Sequence, residues 1–215
     1  MRKFQLKVSG KFACFTRPEM KVERVSYDVI TPSAARGILD SIHWKPAIIW
    51  VVDKIYVLNP IKFRNIKRNE IGIKMKYLND GMYIEDERKQ RSAMVLYDVC
   101  YVIEAHIELT SRKGERDNLT KHEEIFLRRV NKGQCFNQPC LGCREFPADF
   151  SLISEGEPFP ESKLSEADKN KDLGWMLNDF IYKYDKKGNI NYEPSFFRAK
   201  LENGCISVPK LSAEK

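Results

Sequence analysis

MVLYDVCYVIEAHIEL, residues Met94 to Leu109, alternates apolar and other side chains along its whole length. Val95, Tyr97, Val99, Tyr101, Ile103, Ala105 and Ile107 fall on one face, the period-2 pattern of a long strand. Downstream, Thr120-Lys121-His122-Glu123 has the form of a capping box. Thr120 is therefore the expected N-cap of a helix over 121–131 that buries Phe126 and Val130. Gly133 opens a loop through Gly142, and a further strand is expected near Glu145–Ile153.

Working upstream, Ala47–Leu58 (AIIWVVDKIYVL) is rich in β-branched and aromatic residues and reads as a buried strand. Before it, Thr31-Pro32-Ser33 opens a helix with Thr31 as N-cap and Pro32 at its first position. Ala34, Ala35, Ile38, Leu39 and Ile42 form its buried stripe, while Arg36, Asp40 and His43 fall away from it. Pro46 ends this helix. Residues 3–15 make the first strand, with a bulge or bend at Gly10. The order is strand, helix, strand, strand, helix, strand, an α+β ferredoxin-like arrangement of the type used by RNA-recognition modules.

Two segments sit outside that order. Between 61 and 93, Lys62, Arg64, Lys67, Arg68, Lys74 and Lys76 alternate with apolar residues and close on Asn79-Asp80-Gly81. This predicts a basic β-hairpin insertion that contacts RNA, or alternatively a solvated edge whose lysines oppose aggregation. Residues 155–171 are rich in Pro, Ser, Glu and Lys and read as a linker. Beyond it, a short C-terminal antiparallel meander is expected, turning at Lys187-Gly188-Asn189. The division is 1–154 for an RNA-binding and catalytic domain, and 155–215 for linker and small sheet.

The chain of 215 residues carries a formal charge of +7, with a pI near 9.0. A polyanionic partner is favoured, nucleic acid ahead of membrane. The start of the chain alternates like a strand, with no apolar signal segment. No stretch is long and apolar enough to cross a bilayer. The six cysteines are expected as reduced thiols in the cytoplasm. Cys135-x4-Cys140-x2-Cys143 resembles part of an iron–sulfur spacing, but a second CxxC is absent, so no metal and no cofactor are expected.

In a ferredoxin-like sheet both helices pack on one face and run antiparallel. The C-terminal end of the first then meets the N-terminal end of the second, bringing His43 to Lys121 and His122. A helix C-terminus favours protonated imidazole and an N-terminus the neutral form. The expected division is His122 as base on a ribose 2′-hydroxyl, His43 as acid to the departing 5′-oxygen, and Lys121 as the phosphate's cation. RNA contacts are expected at Arg36, Lys45, Lys62, Arg64, Lys67, Arg68 and Arg144. His106 reads as structural.

Ser41-Ile42-His43-Trp44-Lys45-Pro46, Leu141-Gly142-Cys143-Arg144-Glu145-Phe146-Pro147-Ala148, Asp172-Leu173-Gly174-Trp175-Met176-Leu177 and Phe196-Phe197-Arg198-Ala199 with Asn203-Gly204 resemble the CRISPR-associated Cas-five family, Dvulg subtype. The resemblance implies a ferredoxin-like domain with a small C-terminal sheet. It also implies cleavage of precursor CRISPR RNA at the base of the repeat hairpin in type I-C systems. The subunit would stay on the 5′ handle with the other subunits of a Cascade-like complex, and be a monomer when free. Family members use a Tyr, a Lys and a His. The Lys and His fall on Lys121 and His122, but the Tyr position falls on His43, so either His43 or another residue such as Tyr27 is the third member. The alternative is a non-catalytic RNA-binding scaffold.

Overall fold

The computed structural model of the chain describes residues 2–72, 84–154, 156–184 and 190–211. The expected turns at Asn79-Asp80-Gly81 and Lys187-Gly188-Asn189 lie outside these residues. The core of the fold is the alternating strand β5 (Arg88–Leu109). It pairs antiparallel with β1 (Lys3–Ala13) on one side and β3 (Ile48–Val57) on the other. The edge strands are β6 (Asp149–Leu152) beside β1 and β9 (Cys205–Ser207) beside β3, giving the order β6-β1-β5-β3-β9. Four of these strands, with α1 (Pro32–Ile42) and α3 (Leu119–Asn131), complete the ferredoxin-like unit.

The N-terminal half of β5 runs beyond the central sheet. There it pairs with β4 (Phe63–Ile71), from Phe63 opposite Leu96 to Ile71 opposite Arg88, which is the basic hairpin. A single turn, α2 (Ile84–Glu87), precedes β5. The short β2 (Arg24–Val25) also joins β5, in parallel. Asp98 marks the junction of the two halves, with a left-handed φ of 55°. From Val99 to Ile107 the strand is buried on both faces. One face packs under the helices, where Phe4, Trp50 and Phe126 interlock edge-to-face with ring centroids 4.6 to 5.8 Å apart. Such a cluster resists truncation, because few neighbouring atoms can close the void.

Gly10 lies in unshifted register opposite Val99, without the expected bulge, and the glycine has a packing cause instead. A Cβ there would stand 2.4 Å from Leu141, and one at Gly142 would stand 2.1 Å from the Cys14 carbonyl. The loop over 139–148 therefore lies directly on β1 because two glycines permit backbone contact.

The C-terminal part differs from the expected meander. β7 (Lys171–Tyr184) and β8 (Ile190–Leu201) form a two-stranded hairpin, while β9 returns to the main sheet. Met176, Leu177, Ala199, Leu201 and Ile206 enter the same buried cluster as β1 and α1. The segment read as a linker is also packed down: Leu164 is buried, Lys163 N donates to Leu58 O at 2.6 Å, and α4 (Glu166–Lys169) is capped by Ser165. Apolar side chains at these positions bury more surface against the sheet than in a separate unit. Among the described residues, no helix is long and apolar enough to cross a membrane.

Candidate active site

Thr31 caps α1 as expected, its hydroxyl accepting from Ala34 N at 3.2 Å. The apolar stripe Ala35, Ile38, Leu39 and Ile42 is buried against the sheet. His43, which the helical wheel places off that stripe, is completely buried. The reason is local: the chain leaves α1 at His43 in extended geometry, with φ −150° and ψ 113°. The helical spacing no longer applies, and the imidazole turns inward. Its carbonyl accepts the Trp50 indole N–H at 2.8 Å, which anchors it to β3.

The cap of α3 also differs. Asn118, not Thr120, is the N-cap, its side-chain oxygen accepting Lys121 N at 2.9 Å. Asn is among the strongest N-caps and stands two residues earlier, so the helix starts there and Thr120 falls inside its first turn. Lys121 and His122 remain in the first turn. Their amides are already bonded, to the Asn118 side chain and the Asn118 carbonyl.

The two helix ends do meet. His43 Nε2 lies 3.1 Å from His122 Nδ1, with the rings stacked at 5.3 Å between centroids. Both imidazoles are shut off from solvent, His43 at 0% and His122 at 2% exposure. Burial, followed by the charges of Arg129, His122, Lys45 and Arg128, lowers the His43 pKa to about 4. His43 is therefore neutral at neutral pH, and the protonated general acid expected there is corrected. Desolvation outweighs the favourable pull of the helix C-terminus.

A residue that the sequence reading passed over completes the group. Asp117 Oδ1 accepts from Lys121 Nζ at 3.0 Å and stands 3.3 Å from His122 Nε2, near enough for attraction but off the line of a hydrogen bond. Its carboxyl is held below the usual range, chiefly by the Lys121 hydrogen bond. The tautomers follow from these neighbours. With His43 Nε2–H donating to His122 Nδ1, the His122 Nε2 proton faces a carboxylate. The opposite assignment would aim a lone pair at Asp117 and bury an unpaired Nδ1–H on His43. Lys121 is the exposed member, its side chain 45% accessible. The only sequence signal for Asp117 was its position four residues before Lys121, an i,i+4 ion-pair spacing.

The expected RNA ligands divide into two groups. Arg36 is turned inward: its NH2 donates to Asp179 Oδ1 at 2.7 Å and its NH1 to Asp40 Oδ2 at 3.0 Å, tying β7 to α1. Arg68, only 11% exposed, pairs with Glu70 at 2.6 Å and Glu145 at 3.1 Å, tying the basic hairpin to the 139–148 loop. Both were expected on RNA. Both brace the fold, because carboxylates of this chain reach them first. Lys45, Lys62, Arg64, Lys67 and Arg144 are exposed, and Lys62 and Arg64 lie over the Tyr97 ring at 5.8 and 5.3 Å. Arg64 and Tyr97 also line a cleft of about 460 Å³ with Lys7, Lys11 and Lys163, cations that sequence reasoning did not single out.

The remaining readings concern structural residues. Tyr27 is 2% exposed, and burial raises its hydroxyl pKa. His106 is buried between Asp53 (2.8 Å) and Glu108 (3.2 Å), in keeping with a structural role. Cys143 accepts from Arg24 NH1 at 3.2 Å, and its thiol is lowered to about 6 by Cys14 and then Arg24. Among the described residues, no group of three or more His, Cys, Asp or Glu is placed to hold a metal.

With the geometry established, comparison with known proteins extends it. A family model described as CRISPR-associated protein (Cas_Cas5) matches residues 4–209. The CRISPR pre-crRNA endoribonuclease Cas5d of Mannheimia succiniciproducens is 57% identical over 226 residues, covering 99% of this chain and 97% of the relative. Its namesake in Thermus thermophilus is 41% identical over 222 residues, covering 97% and 92%. A crystal structure of a CRISPR-associated protein superposes with a TM-score of 0.72 at 27% identity, over 99% of this chain and 94% of that one. A chain of a CRISPR RNA-guided surveillance complex shares the fold, with a TM-score of 0.53 at 13% identity over 93% and 91%.

Proposed function

The chain belongs to the Cas5d family of CRISPR-associated proteins and is an endoribonuclease of CRISPR precursor RNA; we propose that it cuts at the head of α3, through Lys121, His122 and Asp117. The observation that carries this reading is one carboxylate shared by an exposed ammonium and a buried imidazole. A phosphate arriving at the start of α3 competes with Asp117 for Lys121, and the helix dipole adds to the attraction. Once Lys121 turns to the phosphate, Asp117 is released and His122 Nε2 is uncovered. With Asp117 gone, the His122 Nε2 proton passes to water while the proton between the rings moves to His122 Nδ1 and His43 takes a proton at Nδ1; both rings stay neutral and Nε2 becomes the base.

His122 then takes the proton of the ribose 2′-hydroxyl, and that oxygen attacks the adjacent phosphorus. The 5′-oxygen leaves as the P–O5′ bond breaks, taking back through water the proton that His122 accepted, and the upstream fragment ends in a 2′,3′-cyclic phosphate. Lys121 supplies positive charge where the phosphorane develops it. His43 is a positioning residue: its Nε2 against His122 Nδ1 fixes the ring. None of these steps calls on a metal. Cleavage of a labelled repeat RNA in EDTA, with end-group analysis, is the direct test. Undiminished cutting to a cyclic phosphate is expected, and a 2′-deoxy residue before the scissile bond should abolish it. Cutting lost in EDTA and restored by magnesium would overturn the metal-free route. Binding with no cutting by the wild type would favour the scaffold.

After cleavage the protein stays on the 5′ handle as a subunit of a type I-C Cascade-like complex. The exposed cations of the hairpin and the fold shared with a surveillance-complex chain support this. Free, it is a monomer of the cytoplasm, where its six cysteines would remain thiols.

A further inference from the structure

Beside the buried imidazole pair, the surface opens into a cleft of about 530 Å³, with Trp44, Lys45, Arg129 and Phe136 on its walls. Trp44 is 53% exposed and Phe136 78%. Two large rings left in water around one cleft are a costly arrangement unless something covers them. Trp44 faces outward for the same reason that His43 faces inward: the chain is extended at the end of α1, so successive side chains alternate.

The opposite wall is built from the same helix end. The last carbonyls of a helix lack partners within it. Here Ser41 O accepts both Phe136 N at 2.9 Å and Asn137 N at 3.1 Å, and Ile42 O accepts Arg129 NH1 at 2.7 Å. The final turn of α1 thus frames both aromatics. Lys45 and Arg129 add positive charge at the rim, which suits a polyanion and not an apolar peptide.

We propose that this cleft holds one unpaired nucleobase of the repeat RNA, stacked on Trp44 and Phe136, with the flanking phosphates on Lys45 and Arg129. Any base has a π-face, so stacking of this kind holds a strand without dictating its sequence. The cleft begins one residue from His43, and Arg129 on its wall stands two turns, about 12 Å, along α3 from Lys121, so the captured base would sit within a few nucleotides of the phosphate presented to Lys121. This inference rests on the RNA-cleaving reading and adds to it the group that positions the strand.

The test uses binding, so that its failure is separable from failure of the cleavage chemistry. Of the three tryptophans, Trp50 is buried and Trp175 exposed. A Trp175→Phe background therefore leaves Trp44 as the indole that RNA can reach. Titration with a repeat RNA made uncleavable by one 2′-deoxy residue should quench that fluorescence. Trp44→Ala and Phe136→Ala should each weaken binding roughly five- to a hundredfold, as loss of base–aromatic stacking does. Trp44→Phe should recover most of the loss. An abasic scan should find one nucleotide whose removal costs as much as Trp44→Ala and adds nothing in the variant. Equal binding by wild type and both alanine variants, or no abasic position coupled to Trp44, would overturn the slot while leaving the cleavage assay untouched. Quenching that persists when a complementary strand pairs the whole RNA would also overturn it, since a paired base is not available to stack.

Discussion

The junction of α1 with α3 and the outer face of the basic hairpin are both rich in cationic and ring-bearing side chains, yet they are built oppositely. At the junction, His43 and His122 are sealed, and Lys121 is engaged by Asp117. On the hairpin, Lys62, Arg64 and Lys67 stand in solvent, two of them over an aromatic ring. The first region holds its imidazoles behind an ion pair, which on the proposed reading a phosphate opens. The second offers charge at once and can act before any rearrangement. Binding and cutting are therefore expected to respond to different substitutions.

The largest separation should come from His122→Ala. Single-turnover cleavage is expected to fall by roughly 10²–10⁴, with repeat RNA binding kept. A variant that still cuts at near wild-type rate would move the reaction away from α3. Arg36→Ala should come next, as a loss of stability and not of RNA affinity. Removing one member of a partly buried, bidentate pair leaves Asp179 uncompensated, at a cost of about 3–5 kcal/mol in urea unfolding. Unchanged stability with weakened RNA binding would return Arg36 to the surface group.

The pH dependence is smaller. His43 has a folded pKa of about 4, below its unfolded value of about 6.5. The unfolded chain binds the proton first, so this contribution is full above pH 6.5 and is lost as pH falls towards 4. It amounts to at most on the order of 3 kcal/mol. Asp40 opposes it within that window: burial raises its folded pKa to about 6, so its ionisation destabilises the fold as pH rises. NMR titration separates the two, and a His43 ring that titrates near 6.5 would mean that the junction is open to water. The least change is expected for Arg64→Ala. Stability should hold within about 0.5 kcal/mol, while the slope of log binding constant against log salt should fall by about one. A slope equal to that of wild type would take Arg64 off the RNA.

Much of the scaffold was legible because its signals are periodic and local. The alternation around Ile103, the Thr31-Pro32 start of α1, and the β-branched run at Ile48–Val57 each specify an element without outside help. The topology then predicted that His43 would meet His122, and they lie 3.1 Å apart. What failed was whatever depended on competition. Asn118 displaced Thr120 as cap, Asp179 of β7 claimed Arg36, and Glu70 with Glu145 of the 139–148 loop claimed Arg68. β9 found a free sheet edge beside β3 instead of its neighbour in sequence.

Residue order alone determined the kinds of element, their sequence along the chain and the nearness of two helix ends, because backbone periodicity and capping act within a few residues. Tertiary structure alone decided which charges remain in water and which protonation state His43 adopts. Solvation and ion pairing depend on every group that packs around a side chain, and those groups come from parts of the chain as far apart as Arg36 and Asp179.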